Sequence, residues 1–206
     1  MLKIWGRTNS INVQKVLWCC AELNLDYDRI EAGLQHGVNK TPEYLAMNPN
    51  GIVPTIDDDG YILWESNTIV RYLSSRHGLG TLCPSDTQAR FLSERWMDWQ
   101  QTAITPSIRT VFQGMIRTPP DKRDNNAIAA AQTNCETLFR ILNNHMAARD
   151  YVETDRLTIG DIPIGPTVYR WLGLGNKRED YPNLARYHDR LAERPGFRDH
   201  VMLPLT

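Results

Sequence analysis

The chain has 206 residues, of which 41% are hydrophobic and 23% are charged, and its net charge is −1. This balance, without a basic stripe, argues against nucleic acid as a partner. The longest apolar run near the N-terminus, residues 16–21, is too short for a membrane span or a signal sequence, so we expect no membrane partner. The four cysteines show neither CxxC nor metal-ligand spacing, which favours reduced thiols, no metal site and a cytoplasmic protein.

The first part of the chain alternates between strand and helix patterns. Residues 2–5 and 27–30 have the pattern of short strands. A helix with apolar residues at helical spacing follows the first of them, and Ser10 and Asn12 stand at its beginning. Residues 41–43, Thr-Pro-Glu, predict the start of a second helix, because threonine caps helices and proline suits the first helical position.

The most informative stretch, residues 48–73, has the sequence NPNGIVPTIDDDGYILWESNTIVRYL. β-branched residues flank Pro54, and since proline cannot donate to a sheet ladder, we expect an edge strand or a bulge there. An Asp-Asp-Gly turn predicts a hairpin whose second strand is formed by residues 61–64. Ser66 is a typical N-cap for the helix that follows.

After residue 78 the pattern changes to helices only, which predicts two domains. Residues 1–79 would form an α/β domain, residues 80–86 a linker with a glycine and a proline, and residues 87–206 an all-helical domain. We expect Pro106 to kink its helix. Tyr181-Pro182 would start a final helix, which Arg194-Pro195-Gly196 would end.

Residues 157–162, Leu-Thr-Ile-Gly-Asp-Ile, have the pattern of a helix-capping box. Thr158 would cap the helix, Asp161 would reach back to it, and Leu157 would pack against Ile162. Two prolines follow, Pro163 and Pro166, and they predict an irregular helix.

These strings resemble the glutathione transferases. In that family a thioredoxin-like domain carries an NPxGxVP turn with a cis proline, and an acidic-Ser pair opens the next helix; here these are Pro54 and Glu65-Ser66. The string GRTNSINVQKV and the segment Trp96-Met97-Asp98-Trp99 are similar to a bacterial GstB-type subgroup related to the theta class. The resemblance covers nearly the whole chain, and it implies a thioredoxin-like domain followed by an all-helical domain.

The resemblance implies a glutathione site on the first domain. The Val53-Pro54 bond would be cis and would turn the backbone of Val53 toward an extended peptide, which could pair with it as an added strand. Ser66 would offer a hydroxyl and helix N-terminal amides to the α-carboxylate of glutathione, and Glu65 would offer an anion to its α-amine. The alternative is that Ser66 only caps the helix and Glu65 only favours its dipole.

Catalysis would require a stabilised thiolate, because a free thiol has a pKa of about 8.5 and the thiolate is the nucleophile. Ser10 is the best-placed hydrogen-bond donor to sulfur, Asn12 is the next, and Thr8 and Asn9 are nearby alternatives. The competing role for Ser10 is that of a helix cap.

The glycine end of glutathione needs a cation or an amide donor. His36, Asn39 and Lys40 lie in the loop before the second helix, and the family places such a ligand at the position of Asn39. The alternative is that these are solvated loop residues.

The second substrate would be a small hydrophobic electrophile bound by the helical domain. Several large side chains could line its pocket, among them Ile104 and Phe112, although most aromatic residues at helical spacing belong to the core. Arg7 and Arg109 are candidates for contact with an anionic electrophile.

The resemblance therefore implies a cytosolic glutathione transferase that uses glutathione as co-substrate and no cofactor, acts on small electrophiles including halogenated ones, and forms a homodimer. One alternative is a glutathione-dependent disulfide reductase or peroxidase, against which the absence of cysteine between Arg7 and Lys15 argues. The other is a non-catalytic binding or regulatory protein on the same fold.

Overall fold

A computed structural model describes residues 1–175 and 179–206. The first part of the chain forms β1 (Leu2–Trp5), α1 (Ile11–Glu22), β2 (Tyr27–Ile30), α2 (Pro42–Met47), β3 (Thr55–Asp58), β4 (Tyr61–Trp64) and α3 (Ser66–His77). The helices that follow are α4 (Thr87–Trp99), α5 (Thr105–Phe112), α6 (Asn125–His145), α7 (Asp161–Gly173), α8 (Pro182–Ala192) and α9 (Pro195–His200). The predicted thioredoxin-like order followed by helices is confirmed.

The four strands form one sheet in the order β2-β1-β3-β4. β1 pairs parallel to β2 and antiparallel to β3, and β3 pairs antiparallel to β4. The expectation of an edge strand around Pro54 was wrong: β3 lies inside the sheet, and Pro54 precedes it, where no ladder hydrogen bond is needed. The predicted cis bond between Val53 and Pro54 is confirmed.

The hairpin between β3 and β4 follows from its turn residues. Asp59 and Gly60 both have positive φ, at 50° and 93°, as a two-residue hairpin loop of the primed type requires. The amide of Gly60 donates to Asp57 Oδ1 at 2.6 Å. This local chemistry explains why the predicted turn and the second strand at residues 61–64 are confirmed.

Helix α1 connects the sheet domain with the helices that follow. It packs against α3 on one side and against α7 and α9 on the other. Val16 and Trp18 on α1 are fully buried, and the Trp18 ring meets Phe197 of α9 edge-on at a centroid distance of 4.9 Å. The first turn of α1, where Ser10 and Asn12 lie, is thus placed at the boundary between the two parts of the structure.

Helices α4 and α5 are joined by a π-helical turn over Gln100–Ile104, and a second π turn, Gln113–Arg117, follows α5. Pro106 falls in the first turn of α5, where its missing N–H removes no α-helical hydrogen bond. The π turn is the local irregularity next to Pro106, and the hydroxyl of Thr105 donates to the carbonyl of Gln100 across it at 2.9 Å.

The capping box predicted at residues 157–162 is confirmed in one half, because Asp161 reaches back to Thr158, and wrong in the other. Helix α7 begins at Asp161, and Thr158 does not cap it; instead, both the amide and the hydroxyl of Thr158 donate to Asp161 Oδ2, at 2.8 and 3.2 Å. The other carboxylate oxygen accepts from the Val152 amide and the Tyr187 hydroxyl. Asp161 therefore organises two loops and α8 besides its own helix.

The C-terminal prediction was partly wrong. Helix α8 spans Pro182–Ala192 as expected, but Arg194-Pro195-Gly196 starts a further helix, α9, instead of ending the last one. Pro195 is its first residue, a position where a missing N–H is tolerated. The regular span of α7 also shows that Pro163 and Pro166 do not interrupt that helix.

Candidate functional site

Ser10 occupies the N-cap position of α1, but its hydroxyl does not cap the helix. Its carbonyl oxygen accepts from the amides of Val13 and Gln14, both at 2.9 Å, while its side chain has no hydrogen bond within the described residues. The residue is only 9% exposed. The Ser10 hydroxyl is therefore available as a donor to a bound group next to a helix N-terminus.

The other donor candidates of this loop differ in availability. Asn12 is half-buried in the first turn of α1, and its amide has no partner in the part of the chain that the structure describes. Asn9 donates its amide to Thr206 Oγ1 at 2.9 Å, and Thr8 is exposed. Ser10 and Asn12 are thus the two least committed donors that are at least partly buried.

The Glu65-Ser66 pair opens α3 with an unusual backbone. Glu65, not Ser66, occupies the cap position, so the prediction of Ser66 as the N-cap was wrong by one residue. Glu65 has φ of 71°, a left-handed conformation that costs a non-glycine residue about 1 kcal/mol or more. Its exposed carboxylate has no ion-pair partner among the described residues, and the 2% exposed Ser66 hydroxyl has no hydrogen bond there either. An anion and a free hydroxyl therefore stand together at a helix start.

Val53 lies in the turn before β3, with its side chain buried. No backbone hydrogen bond of Val53 is present among residues 1–175 and 179–206. The flanking backbone is fixed from behind, because the Tyr44 hydroxyl and the Asn48 amide both donate to the carbonyl of Ile52, at 2.6 and 3.0 Å. Both side chains also contact Thr55 Oγ1, so a buried polar group holds Val53 in place. No local sequence pattern indicates this role of Tyr44.

The loop before α2 brings Asn39 and Lys40 to the same turn. The amide of Asn39 donates to the carbonyl of Gly51 at 2.7 Å, which commits it to the turn. Lys40 Nζ lies 2.7 Å from the point where a Cβ on Gly51 would stand, and it has no ion pair within the described chain. His36 lies 3.6 Å from Glu31 Oε2 and 3.0 Å from the Gln35 amide. Of these three, Lys40 is the cation beside Gly51 that has no ion-pair partner among the described residues.

A buried lysine beneath the site was missed from the sequence. Lys15 on α1 is fully buried, and its Nζ donates to Asn67 Oδ1 at 3.3 Å and to Gln100 Oε1 at 3.0 Å. Burial lowers the pKa of Lys15 to about 7, with the charge of Arg170 acting in the same direction and that of Glu65 opposing it. Lys15 is therefore a buried amine held by two side-chain amides, and it loses its charge as the pH rises through about 7.

The two amides extend this contact into a network between the domains. Gln100 also donates to Thr105 Oγ1 at 2.9 Å and to Thr167 Oγ1 at 3.2 Å. Asn67, the second residue of α3, donates to the carbonyl of Met97 at 2.8 Å. The start of α3, with its Glu65-Ser66 pair, is thus anchored to α1, α4 and α7 by buried hydrogen bonds.

The predicted pocket residues lie in the helical part. Ile104 is fully buried and Phe112 is 2% exposed. The ring of Phe112 is covered by two guanidinium groups, those of Arg170 at 3.8 Å and Arg117 at 4.9 Å from its centroid. Arg109 is exposed and stands apart from them.

The cysteines contribute no reactive thiolate to this region. All four are buried and unpaired: Cys19, Cys20, Cys83 and Cys135. Burial raises the pKa of Cys20 and, with Glu136 in addition, of Cys135 to about 12, and it raises the pKa of Cys19 well above its ordinary value. A buried protonated thiol is a poor nucleophile.

Among residues 1–175 and 179–206, no cluster of three or more histidine, cysteine or acidic side chains could hold a metal ion. No helix within these residues is long and apolar enough to span a membrane. An open depression of about 490 Å³ is lined by residues other than Ser10, and two of its charged side chains, Glu22 and Arg194, already pair with each other at 2.9 Å. That depression carries no free catalytic group comparable with the start of α1.

Family models identify both parts of the chain. Residues 1–75 match the glutathione S-transferase N-terminal domain, and residues 125–190 match the glutathione S-transferase C-terminal domain. The chain therefore belongs to the glutathione S-transferase family, and the resemblance noted from the sequence is confirmed.

Individual relatives agree with this assignment. Glutathione S-transferase GstB of Escherichia coli is 41% identical over 208 residues, which cover all of both chains. The disulfide-bond oxidoreductase YfcG of E. coli is 27% identical, covering 90% of this chain and 87% of its own. A theta-class glutathione S-transferase from Xanthomonas axonopodis pv. citri, solved with glutathione bound, superposes with a TM-score of 0.96 at 41% identity, covering 100% of this chain and 99% of that one.

Proposed function

We propose that this transferase binds glutathione along Val53 and the starts of α1 and α3, and activates its thiol for attack on a small electrophile. The observation that carries the proposal is the start of α1, where the Ser10 hydroxyl and the Asn12 amide have no partner among the described residues. Donors that are already oriented and not used by the protein itself can stabilise an anion without breaking an existing hydrogen bond.

Glutathione recognition would use the three features of the peptide separately. The unpaired backbone of Val53 would pair with its cysteinyl residue as an added strand. Ser66 and the amides at the start of α3 would bind the α-carboxylate, and Glu65 would bind the α-ammonium. At the glycine end, the unpaired charge of Lys40 favours it as the direct ligand, with Asn39 shaping the turn through Gly51.

The chemical step needs only a change in thiol acidity. A hydrogen bond from Ser10 or Asn12 to sulfur, together with the α1 N-terminus, favours the thiolate over the thiol and lowers its pKa. The thiol proton leaves to water, sulfur then attacks the electrophilic carbon, and a halide leaves with its electron pair where one is displaced. Ile104 and Phe112 would lie on the apolar side of the electrophile, while Phe112 also supports the arginines above it.

A conjugation assay tests this proposal. The purified protein should bind to immobilised glutathione and should accelerate the reaction of glutathione with 1-chloro-2,4-dinitrobenzene, a neutral aryl halide, with Ser66→Ala weakening retention. A matched control is Thr68→Ala, which alters an exposed hydroxyl two residues further along α3. If the protein is retained on immobilised glutathione but accelerates conjugation of no electrophile, it is a binding protein. If it is neither retained nor active, the proposal is wrong.

The disulfide-reductase alternative is kept by one observation, the similarity to YfcG. Such a reaction would have to run through glutathione itself, because all four cysteines are buried and therefore poorly placed for a mixed disulfide with the protein. Measuring glutathione-dependent reduction of 2-hydroxyethyl disulfide beside the conjugation assay separates the two. We expect conjugation to be the faster reaction relative to its uncatalysed rate.

We further propose a homodimer located in the cytoplasm, and a domain division at residues 1–79, 80–86 and 87–206. The division is supported by the sheet and its helices, which end at His77, and by the start of α4 at Thr87. Phe91 and Leu92 on α4 are apolar and exposed, which supports an interface in which a second copy of the chain covers them. Sedimentation of the wild type beside Phe91→Ser tests the assembly; a monomer at micromolar concentration would contradict it.

A further inference from the structure

Three arginine side chains meet beside the candidate site. Arg7 lies in the loop between β1 and α1, Arg117 ends the π turn after α5, and Arg170 lies on α7. Burial, and then the charge of Arg117, lowers the pKa of Arg7. Burial, followed by the charges of Arg117 and Arg7, lowers the pKa of Arg170 to about 9. Arg170 and Arg117 also lie over the same ring, that of Phe112, at 3.8 and 4.9 Å from its centroid, and Arg117 donates to the Asn9 carbonyl in the loop that holds Arg7. These three side chains are called the arginine cluster below.

Within residues 1–175 and 179–206, no aspartate or glutamate side chain forms an ion pair with the arginine cluster. No acidic side chain of the described chain acts on the pKa of Arg7, Arg117 or Arg170. The fourth nearby cation, Lys15, adds to the positive charge, because Arg170 acts on its pKa as well. Like charges gathered in a partly buried place are unfavourable unless an anion joins them.

Two members of the cluster also have unused donors. Arg117 donates to the Thr206 oxygen at 2.7 Å and to the Asn9 carbonyl at 3.4 Å, so it is already engaged. Arg170, which is 9% exposed, makes no hydrogen bond within residues 1–175 and 179–206. Arg7 makes none there either, and its Nε is buried without a partner. The free binding capacity therefore belongs to Arg7 and Arg170.

The cluster lies between the two proposed substrate positions. On one side, Arg7 Nη1 is 3.5 Å from the point where a Cβ on Gly33 would stand, and Val53 Cγ2 is 3.4 Å from the same point. On the other side, the Arg170 guanidinium covers Phe112. An electrophile resting near Phe112 and within reach of the thiol would thus have Arg7 and Arg170 as its polar neighbours.

We propose that Arg7 and Arg170 form a subsite for a carboxylate carried by the electrophile, so that small carboxylate-bearing electrophiles are preferred over neutral compounds of the same shape. The inference rests on the proposed function, since it names the substrate class of that same site. A planar carboxylate suits guanidinium groups, which donate from a fixed fork, and one negative charge matches the two arginines that are not engaged elsewhere. The ring of Phe112 supports this arrangement, because the Arg170 guanidinium lies against it.

Iodoacetate and iodoacetamide form a matched pair for the test. In both, the glutathione sulfur forms a bond to the methylene carbon, the carbon–iodine bond breaks, and iodide leaves with the electron pair. The carboxylate or amide is not changed in the step, so the two reagents differ mainly in charge. The buried protonated cysteines of the protein limit its own alkylation.

The measured quantity is kcat/KM for each reagent, divided by its uncatalysed rate constant with free glutathione at the same pH. The wild type should favour iodoacetate by about tenfold or more, the lower range expected for a charge-assisted hydrogen bond. Arg170→Met and Arg7→Met should each remove most of this preference while changing the iodoacetamide value and the KM of glutathione by less than about threefold. Lys122→Met, which removes an exposed charge after the second π turn, is the control and should retain the preference.

Each contrary result has a separate meaning. Equal normalised values for the two reagents in the wild type would overturn the carboxylate subsite and leave the proposed function intact. A raised KM for glutathione in the arginine variants, with no change in the preference, would show that the cluster binds glutathione and would also overturn it. Failure to conjugate either reagent or a neutral aryl halide would remove the proposed function itself. If Arg170→Met does not fold, Arg7→Met in the half-buried loop decides.

Discussion

Replacing Lys15 by methionine should change how the stability of the protein depends on pH. Methionine keeps the length of the side chain and removes its charge. In the folded protein the pKa of Lys15 is lowered from its ordinary value of 10.5 to about 7, chiefly by burial. In the unfolded chain the ammonium is solvated and recovers its ordinary pKa. The folded and unfolded states therefore bind different numbers of protons between these two values.

The sign of the effect follows from proton linkage. Between pH 7 and 10.5 the unfolded state holds the Lys15 proton and the folded state has released it, so raising the pH favours folding. Below pH 7 both states are protonated, and this contribution to stability becomes constant. The slope is about 1.4 kcal/mol per pH unit within the window, which amounts to about 2–3 kcal/mol between pH 7.5 and 9.5.

Urea unfolding at several pH values measures this directly. The free energy of unfolding of the wild type minus that of Lys15→Met should rise by this amount between pH 7.5 and 9.5. Titration of other groups cancels in the difference, and Lys3→Met, at an exposed position, should give a flat difference. A flat difference for Lys15→Met too would refute the reasoning, because it would show that the buried ammonium is fully compensated in the folded state.

Three further predictions concern other contacts. Ser66→Ala should weaken glutathione binding at least about tenfold in calorimetry with the fold retained, because it removes a charge-assisted hydrogen bond; unchanged affinity would contradict the proposed α-carboxylate site. Lys40→Ala should weaken glutathione binding about threefold to tenfold, and the difference from the wild type should become smaller as salt is added. If only Asn39→Ala weakens binding, Asn39 and not Lys40 is the direct ligand of the glycine end. Asp161→Asn should destabilise the protein by at least about 2 kcal/mol in urea unfolding, because it disturbs four buried donors; a loss below about 0.5 kcal/mol would show that they find other acceptors.

Local sequence chemistry was sufficient where neighbours along the chain determine the structure. The hairpin at residues 55–64 follows from Asp59-Gly60, which tolerate the positive φ that the loop requires. The start of α2 follows from Thr41 and Pro42, and the Thr41 hydroxyl accepts from the Tyr44 amide at 3.3 Å as a cap should. These features need no information from the rest of the fold.

The errors arose where distant residues take over a local role. The pattern around Asp161 correctly predicted its reach back to Thr158, but not that the Val152 amide and the Tyr187 hydroxyl also donate to its carboxylate. Pro54 suggested an edge strand, but β3 begins one residue later, at Thr55, and lies inside the sheet. The edge strands are β2 and β4. Sequence spacing describes only the nearest neighbours, so it cannot show which distant groups compete.

The polar centre of the candidate site was beyond reach for the same reason. Lys15 lies in a helix that contains both polar and apolar residues, and nothing in the local sequence marks it as buried. Its partner Gln100 is 85 residues away along the chain. Arg7, Arg117 and Arg170 come from three separate segments, and only the packing of α7 and the π turn against the β1–α1 loop brings them together. Ser10 and Asn12, in contrast, were found because one short string contains both.

Stabilisation of the glutathione thiolate by the start of α1 is central to the proposed activity. The most direct measurement is the pKa of the thiol of bound glutathione, followed by the ultraviolet absorbance of the thiolate in the wild type, Ser10→Ala and Asn12→Ala. We predict a value below that of free glutathione in the wild type, and a rise in Ser10→Ala accompanied by lower turnover at neutral pH, each unit corresponding to about 1.4 kcal/mol. A rise only in Asn12→Ala would make Asn12 the main donor. An unchanged thiol pKa in both variants would contradict the claim that this loop activates glutathione.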